Sequence, residues 1–181
     1  NYHVLGAPLS PASARALWLV DYDDLYIYPA AQLTPARWLA SGLDTILKSR
    51  LWALGQNIQS ALAVQGLVFQ VPLILLGLWR WRQDVLIRYG LAAWIGVFTL
   101  MTVVFPFAGA RGGFFHSSAA LQPLFWALVP AGLEGFLLWG QRKRGWQLKQ
   151  AGVIFGTGLL LFAVIFTLYM GANRVGADRD G

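Results

Sequence analysis

Residues 109–118 have the sequence GARGGFFHSS and form a short polar stretch between two long apolar runs. Arg111 is the only full positive charge between those runs, and three glycines surround it. Ser117 or Ser118 is placed to cap a following helix. The stretch therefore predicts a tight hairpin that joins two apolar helices, and those helices decide the fold class.

The composition of the whole chain is that of a membrane protein. Hydrophobic residues make up 57% of the 181 residues, and charged residues make up 12%. Soluble domains carry about 25% charged residues. The net charge of +6 does not indicate nucleic-acid binding, because the basic residues form short clusters that bracket the apolar runs. The absence of cysteine excludes disulfides and thiolate metal sites.

Four apolar segments are long enough to be membrane spans, because a hydrocarbon core about 30 Å thick needs roughly 20 residues of helix. We predict an all-α polytopic membrane protein with four transmembrane helices, preceded by extracytoplasmic amphipathic surface helices. The predicted spans are residues 61–79, 89–108, 119–140 and 151–171.

The distribution of basic residues predicts the orientation of these spans. Three arginines lie in residues 80–88 and four basic residues in 141–149, whereas the stretch 109–118 has one. Loops rich in lysine and arginine stay in the cytoplasm. The stretch 109–118, the interfacial segment 1–60 and the polar tail 172–181 are therefore expected on the extracytoplasmic side of the membrane.

The segment before the first span is predicted to contain a surface helix. Thr34 and Pro35 have the pattern of an N-cap followed by a first-turn proline. Apolar residues then recur at helical spacing through about Arg50, as expected for an amphipathic helix on the membrane surface. The apolar positions are Trp38, Leu39, Leu43, Ile46, Leu47 and Leu51.

Two interpretations of Arg111 remain open. The side chain can extend to lipid phosphates at the interface while His116 packs in the loop. Alternatively, Arg111, the Gly112 and Gly113 amides and His116 form an anion site, because bare backbone N–H groups and a guanidinium suit a phosphate or carboxylate. On the outer face, the anion would belong to a lipid.

Two other groups of polar residues are candidates for function. Asp21, Asp23 and Asp24 lie among tyrosines and suit a metal ion, a sugar or a solvated turn. Glu134 lies inside the third predicted span, where acids are costly and are candidates for function. Alternatively, Glu134 has a structural role near Arg142. No zinc-binding spacing, phosphate-loop motif or catalytic triad is present, so we predict no metal and no cofactor.

Two stretches resemble a known family. The sequence FPFAGARGGFFHSSAALQP at 105–123 resembles the later transmembrane part of bacterial integral membrane glycosyltransferases of the C-type fold. That group is related to protein O-mannosyltransferases and lipid A aminoarabinose transferases. The sequence WLVDYDDLYIYP at 18–29 resembles the segment that precedes a surface helix in such proteins.

This resemblance implies an activity. Such enzymes transfer a sugar from a polyprenyl-phosphate donor to an extracytoplasmic acceptor, so the donor is a lipid-linked substrate and no cofactor is required. Arg111 matches the position that holds the donor phosphate, and the helix at 35–50 would cover part of the lipid and acceptor cavity. The catalytic acid of the family lies in a first extracytoplasmic loop, which nothing here matches.

We therefore expect the chain to be the C-terminal portion of a glycosyltransferase, inactive alone and packed against the remaining transmembrane helices. Its expected partners are membrane lipid and a polyprenyl-phosphate sugar, with no nucleic acid. The alternative is a non-catalytic membrane scaffold or a transporter fragment. Gln65 and Gln70, inside the first predicted span, are the features that favour a transporter.

Overall fold

The structure, a computed structural model, describes residues 15–26 and 30–177. Part of the predicted interfacial segment (1–14), the end of the stretch 18–29 (27–29) and the end of the predicted tail (178–181) lie outside the described residues. Every regular element within the described ranges is helical, which confirms the all-α prediction.

The α-helices are α1 (Pro35–Ala40), α2 (Gly42–Ser60), α3 (Val71–Arg80), α4 (Val85–Thr99), α5 (Pro106–Ala108), α6 (Phe114–Ser118), α7 (Gln122–Arg144) and α8 (Leu148–Ala177). Between them lie π-helical turns at Ala61–Gln65, Leu100–Val104 and Gly109–Gly113. Shorter 3-10 turns occur at Ala16–Trp18, Asp23–Tyr26, Ala30–Gln32 and Ala119–Leu121.

Within the described part of the chain, three helical stretches are long and apolar enough to cross a membrane. They overlap the predicted spans at 89–108, 119–140 and 151–171. This finding indicates a membrane protein. The stretches are Val85–Val104, Pro106–Arg144 and Leu148–Tyr169.

The predicted first span, residues 61–79, is interrupted rather than one continuous helix. The chain leaves the helix at Gly66, and Leu67 and Val68 have positive φ values of 45° and 49°. Helix α3 then starts at Val71, with Pro72 in its first turn. A proline at that position lacks the amide that a continuous helix would need and would clash with the preceding turn. Helix α3 has ten residues and is about 15 Å long, half of a hydrocarbon core.

The predicted surface helix at 35–50 is also divided in two. The N-cap prediction is confirmed, because the Thr34 hydroxyl accepts a hydrogen bond from the Arg37 amide at 3.2 Å and Pro35 begins α1. Helix α1 ends at Ala40, and Gly42 has a φ of 84°, which favours glycine. Helix α2 then runs to Ser60 and continues without a break into the π-helical turn at Ala61–Gln65.

The predicted hairpin at 109–118 is a kinked helical passage rather than an open loop. Phe114 and Ser118 are buried within it. The prediction that Ser117 or Ser118 caps the next helix is wrong, because neither α6 nor the turn at Ala119–Leu121 has a side-chain cap. The Ser118 hydroxyl instead donates to the Phe114 carbonyl at 2.6 Å.

The chain divides into two compact units. Of the described residues, the first unit contains 15–26, 30–71 and 82–125, and the second contains 72–81 and 126–177. In the first unit, α2 packs against the irregular helical passage from 100 to 118. Phe114 is fully buried there, edge-on to the rings of Trp94 and Phe98.

In the second unit, α3 and α7 approach closely through two glycines. A β-carbon on Gly77 would collide with the Leu128 carbonyl, and one on Gly132 would collide with the Leu73 carbonyl. Small residues of this kind allow close helix packing in membranes, where no hydrophobic effect drives the contact. Helix α7 ends just before Gly145, which has a φ of 68°.

Candidate functional site

Arg111 lies in a kink whose glycines each have a steric role. Gly112 has a φ of 102°, a conformation that an L side chain rarely adopts. A β-carbon on Gly109 would collide with the Met101 carbonyl, and one on Gly113 would lie 2.5 Å from the Ala108 carbonyl oxygen. The glycines therefore allow the turn that exposes Arg111, and the predicted role of the Gly112 and Gly113 amides as anion ligands stays a prediction.

Two tyrosines fix the Arg111 guanidinium. Its Nη1 donates to the Tyr26 hydroxyl at 2.8 Å. The guanidinium carbon lies 4.9 Å from the centre of the Tyr22 ring and 5.6 Å from that of Tyr26. Exposed cation–π contacts are worth about 0.5–1 kcal/mol each. These contacts hold the cation in one place while its side chain stays exposed.

No ion pair within the described part of the chain neutralises the charge of Arg111. Among residues 15–26 and 30–177, the ion pairs join Asp24 to Arg37, Asp44 to Lys48 and Arg80 to Glu134, and none includes Arg111. A guanidinium held in place without a carboxylate partner is suited to bind an anion.

His116 lies on the same kink as Arg111 but has different neighbours. Its ring is beside Gly112, with Cδ2 3.7 Å from the position that a β-carbon on Gly112 would take, and its centre is 5.2 Å from that of Phe115. The structure thus brings Gly112 and His116 together and places Arg111 against the tyrosines. His116 is exposed, so its ring can reach a ligand.

A cleft of about 320 Å³ lies beside Tyr22 in the same unit. The Trp52 ring meets the Tyr22 ring edge-on, with centres 6.2 Å apart, and its centre is 6.0 Å from that of Phe107. Polar groups complete the lining. The lining residues include Asp21, Tyr22, Thr45, Lys48, Trp52 and Phe107. Aromatic faces beside hydroxyl, carboxylate and ammonium groups suit a sugar ring.

The three aspartates near this cleft do not act as a unit. Asp24 is buried and accepts hydrogen bonds from Arg37 Nη2 at 2.7 Å and from the Val20 and Asp21 amides at 2.8 and 3.1 Å. Burial by itself raises the pKa of Asp24, but these bonds and the Arg37 charge outweigh it, so its pKa lies below its usual value. Asp24 therefore has a structural role. No group of three potential metal ligands occurs among the residues that the structure describes.

Arg50 holds α2 to the end of the helical stretch 85–104. Its Nε donates to the Val103 carbonyl at 3.2 Å, its Nη1 donates to the Ser49 hydroxyl at 2.8 Å, and its guanidinium carbon lies 5.3 Å from the centre of the Trp38 ring. Burial lowers the pKa of Arg50. The sequence does not predict these contacts of Arg50, because it does not show which helix lies next to it.

Buried polar side chains join α2 and its π-helical extension to the rest of the first unit. Gln65 donates to the Ser118 hydroxyl and accepts from the Trp94 indole N–H at 2.8 Å. Further back along α2, Asn57 donates to the Thr102 hydroxyl at 3.0 Å. In the sequence, Gln65 is conspicuous as an uncharged polar residue within an apolar run. The sequence does not show that its partners are Ser118 and Trp94.

Glu134 pairs with a different residue from the one expected. Its Oε1 accepts from Arg80 Nη2 at 3.1 Å, and its side chain is 61% exposed. Arg142, the expected neighbour, is not the cation that it pairs with. Arg80 at the end of α3 therefore compensates this carboxylate within the second unit.

Comparison with known proteins finds no matching family model, curated protein or solved structure. The resemblance to membrane glycosyltransferases therefore stays an expectation based on two stretches of sequence. The side chains of this region form a recognisable arrangement. The exposed Arg111 guanidinium contacts two tyrosines, and one of them, Tyr22, also lines a cleft with aromatic and polar walls. Such an arrangement can bind a phosphate joined to a sugar.

Proposed function

We propose that the chain is part of a membrane glycosyltransferase that takes a sugar from a polyprenyl-phosphate donor. The observation that carries this proposal is the position of Arg111, whose guanidinium is exposed, fixed by Tyr22 and Tyr26, and outside every ion pair within the described ranges. In this proposal, Arg111 binds the donor phosphate, and His116 donates a second hydrogen bond to it.

The cleft beside Tyr22 supports a sugar rather than a bare phosphate as the rest of the ligand. Its volume of about 320 Å³ is at the lower end of the range for small-molecule sites. Tyr22 contacts the Arg111 guanidinium and also lines the cleft. A phosphate at Arg111 would therefore place an attached sugar near Trp52 and the polar groups of the cleft.

The chemistry of transfer requires positive charge at this position. When the acceptor attacks the anomeric carbon, the bond to the phosphate oxygen breaks and the departing polyprenyl phosphate gains negative charge. A fixed guanidinium stabilises that charge without having to reorganise. The group that removes the proton from the acceptor is expected upstream of this chain, as the resemblance implies.

The proposal includes four membrane crossings, with both ends of the chain and Arg111 on the extracytoplasmic side of a bacterial plasma membrane. The first crossing would be an interrupted helix that includes α3. Two observations support this arrangement. The basic clusters at 80–88 and 141–149 favour a cytoplasmic location. Leu43, Leu47 and Leu51 form an exposed apolar row along α2, as expected for a helix on the membrane surface.

The test uses the full-length protein in phosphatidylcholine nanodiscs and compares Arg111→Ala with Arg88→Ala, which removes the same charge from a distant basic cluster. Sugar transfer from a synthetic polyprenyl-phosphate sugar and binding of polyprenyl phosphate are both measured. Loss of one fixed donor to a developing anion costs roughly 10²-fold in rate. We expect a loss of this size for Arg111→Ala and little change for Arg88→Ala. Equal rates for the two variants would exclude the assigned role of Arg111.

A transporter is the second candidate, and one observation favours it. The helix break at 66–70 separates Gln65 from α3, and Leu67 and Val68 have strained positive φ values. Transporters build their binding sites at such interrupted helices. Uptake of a substrate into proteoliposomes without covalent transfer of a sugar would favour this candidate over the transferase.

A further inference from the structure

A second cleft, of about 560 Å³, lies entirely within the second unit, between residues of α3 and α7. Its lining combines three cations with two tryptophans and apolar side chains. Those that bear on its ligand are Leu76, Trp79, Arg80, Trp139, Arg142 and Lys143. This cleft shares no residue with the site at Arg111, so a ligand assigned to it does not depend on the role proposed for Arg111.

The charge of this cleft is positive. Arg80 pairs with Glu134, whereas neither Arg142 nor Lys143 forms an ion pair with any residue that the structure describes. Three cations and one carboxylate leave two positive charges. The ends of α3 and α7 each add a partial negative charge of about half a unit, so the cleft stays positive. Its charge therefore favours an anionic occupant.

The apolar part of the lining identifies the kind of anion. Leu76, Trp79 and Trp139 are all exposed to a large degree, with 39%, 68% and 49% of their surfaces accessible. Tryptophan is typical of the headgroup level of a bilayer, and basic pockets between membrane helices bind anionic headgroups on the cytoplasmic side. We propose that this cleft binds an anionic phospholipid, with its phosphate on Arg142 and Lys143 and its acyl chains along Leu76.

The test measures lipid affinity by native mass spectrometry of the full-length protein after delipidation. Phosphatidylglycerol and phosphatidylcholine with the same acyl chains are titrated separately, and glycerol phosphate serves as the headgroup without chains. The double variant Arg142→Gln/Lys143→Gln removes two cations from the cleft. Its matched control, Arg144→Gln/Lys149→Gln, removes two cations from the same basic cluster outside the lining.

Each cation near an anionic lipid contributes about fivefold to affinity, so the double variant should bind phosphatidylglycerol about 25-fold more weakly. The control should bind within about twofold of wild type, because salt-screened charges outside the site contribute little. Phosphatidylcholine should bind at least about tenfold more weakly than phosphatidylglycerol to the wild type, because its headgroup has no net charge. Equal losses in the two double variants, or equal affinity for the two lipids, would overturn the proposal.

If the double variant does not fold, a single variant that is expected to increase the affinity for phosphatidylglycerol provides a second test. Glu134→Gln removes the only carboxylate paired with Arg80 among the described residues and should therefore tighten phosphatidylglycerol binding severalfold. Unchanged or weaker binding in Glu134→Gln would contradict the proposal. Binding of glycerol phosphate as tight as that of the lipid would show a site for free phosphate esters and would also overturn it.

Discussion

The Arg111 guanidinium donates a hydrogen bond to the Tyr26 hydroxyl, 2.8 Å away, across 85 residues of sequence. The same guanidinium packs on the Tyr22 ring. These contacts join the turn at Asp23–Tyr26 to the kinked turn at Gly109–Gly113. They fix the direction in which the Arg111 side chain points.

Removal of the Tyr26 hydroxyl should weaken the binding of polyprenyl phosphate. Tyr26→Phe keeps the ring but removes the hydrogen bond, which is worth about 0.5–1.5 kcal/mol, or roughly two- to tenfold in affinity. Tyr22→Phe is the matched control, because the Tyr22 hydroxyl makes no hydrogen bond within the described part of the chain. Binding is measured with the full-length protein in nanodiscs. A similar loss in both variants would mean that the hydroxyl does not position Arg111.

Replacement of Gln65 by leucine should destabilise the first unit. The Gln65 side chain satisfies both the Trp94 indole N–H and the Ser118 hydroxyl, and a buried donor without a partner costs about 1–3 kcal/mol. Gln70→Leu, at a half-buried position on the helix break, is the control and should change stability little. Thermal unfolding in detergent measures the effect. Trp94→Phe removes the indole N–H that Gln65→Leu leaves without a partner. Adding Trp94→Phe to Gln65→Leu should therefore recover part of the lost stability.

Addition of a single methyl group should distinguish the glycines of α7. Gly132→Ala places a β-carbon against the Leu73 carbonyl, and overpacking of this kind costs about 1–3 kcal/mol. Gly135→Ala, three residues along the same helix, meets nothing within 4 Å and should be neutral or stabilising by up to about 1 kcal/mol. Thermal unfolding of the two variants provides the comparison. The close contact of α3 and α7 would be contradicted if both variants melted at the wild-type temperature.

The stability of the segment around Asp24 should fall in acid. Because the pKa of Asp24 is lower in the folded state, its ionised form stabilises the fold above the ordinary value near 3.8, and this contribution is lost as the pH falls through the folded-state pKa. Asp24→Asn should reduce stability at neutral pH and flatten the dependence below about pH 4. The control is Asp23→Asn, an exposed neighbour whose replacement should change stability at neutral pH little. Unfolding midpoints measured from acid to neutral pH test both expectations.

Much of the helical architecture could be predicted from local sequence. The Thr34–Pro35 helix start and the three apolar stretches long enough to span a membrane are visible because caps and hydrophobic runs are local properties. The break at 66–70 was not predicted. Its residues are nearly as apolar as their neighbours, so hydropathy does not distinguish a bent chain from a straight helix. The proline at 72 is the local feature that opposes a continuous helix.

The residues of the candidate site were selected from the sequence, and their role as an anion site stays a prediction. Sequence reasoning selected Arg111, Gly112, Gly113 and His116 because a cation and glycines between apolar runs are typical of an anion site. It did not identify Tyr22 and Tyr26 as the groups that hold Arg111, or Arg80 as the partner of Glu134. The hydrogen bonds among these contacts join residues 54 and 85 positions apart, and spacing along the chain contains no information on such pairs.

The amino-acid sequence by itself determined the helical class and the apolar character of the chain, because backbone hydrogen bonds in lipid must be satisfied within each helix. The tertiary structure alone decided which polar groups meet. Arg111 is fixed because two tyrosines pack on it. Of the glycines beside it, Gly109 and Gly113 allow close backbone contacts, and Gly112 adopts a positive φ. The reason is physical: hydrophobicity is a property of each residue, whereas a hydrogen bond or a cation–π contact depends on the positions of two.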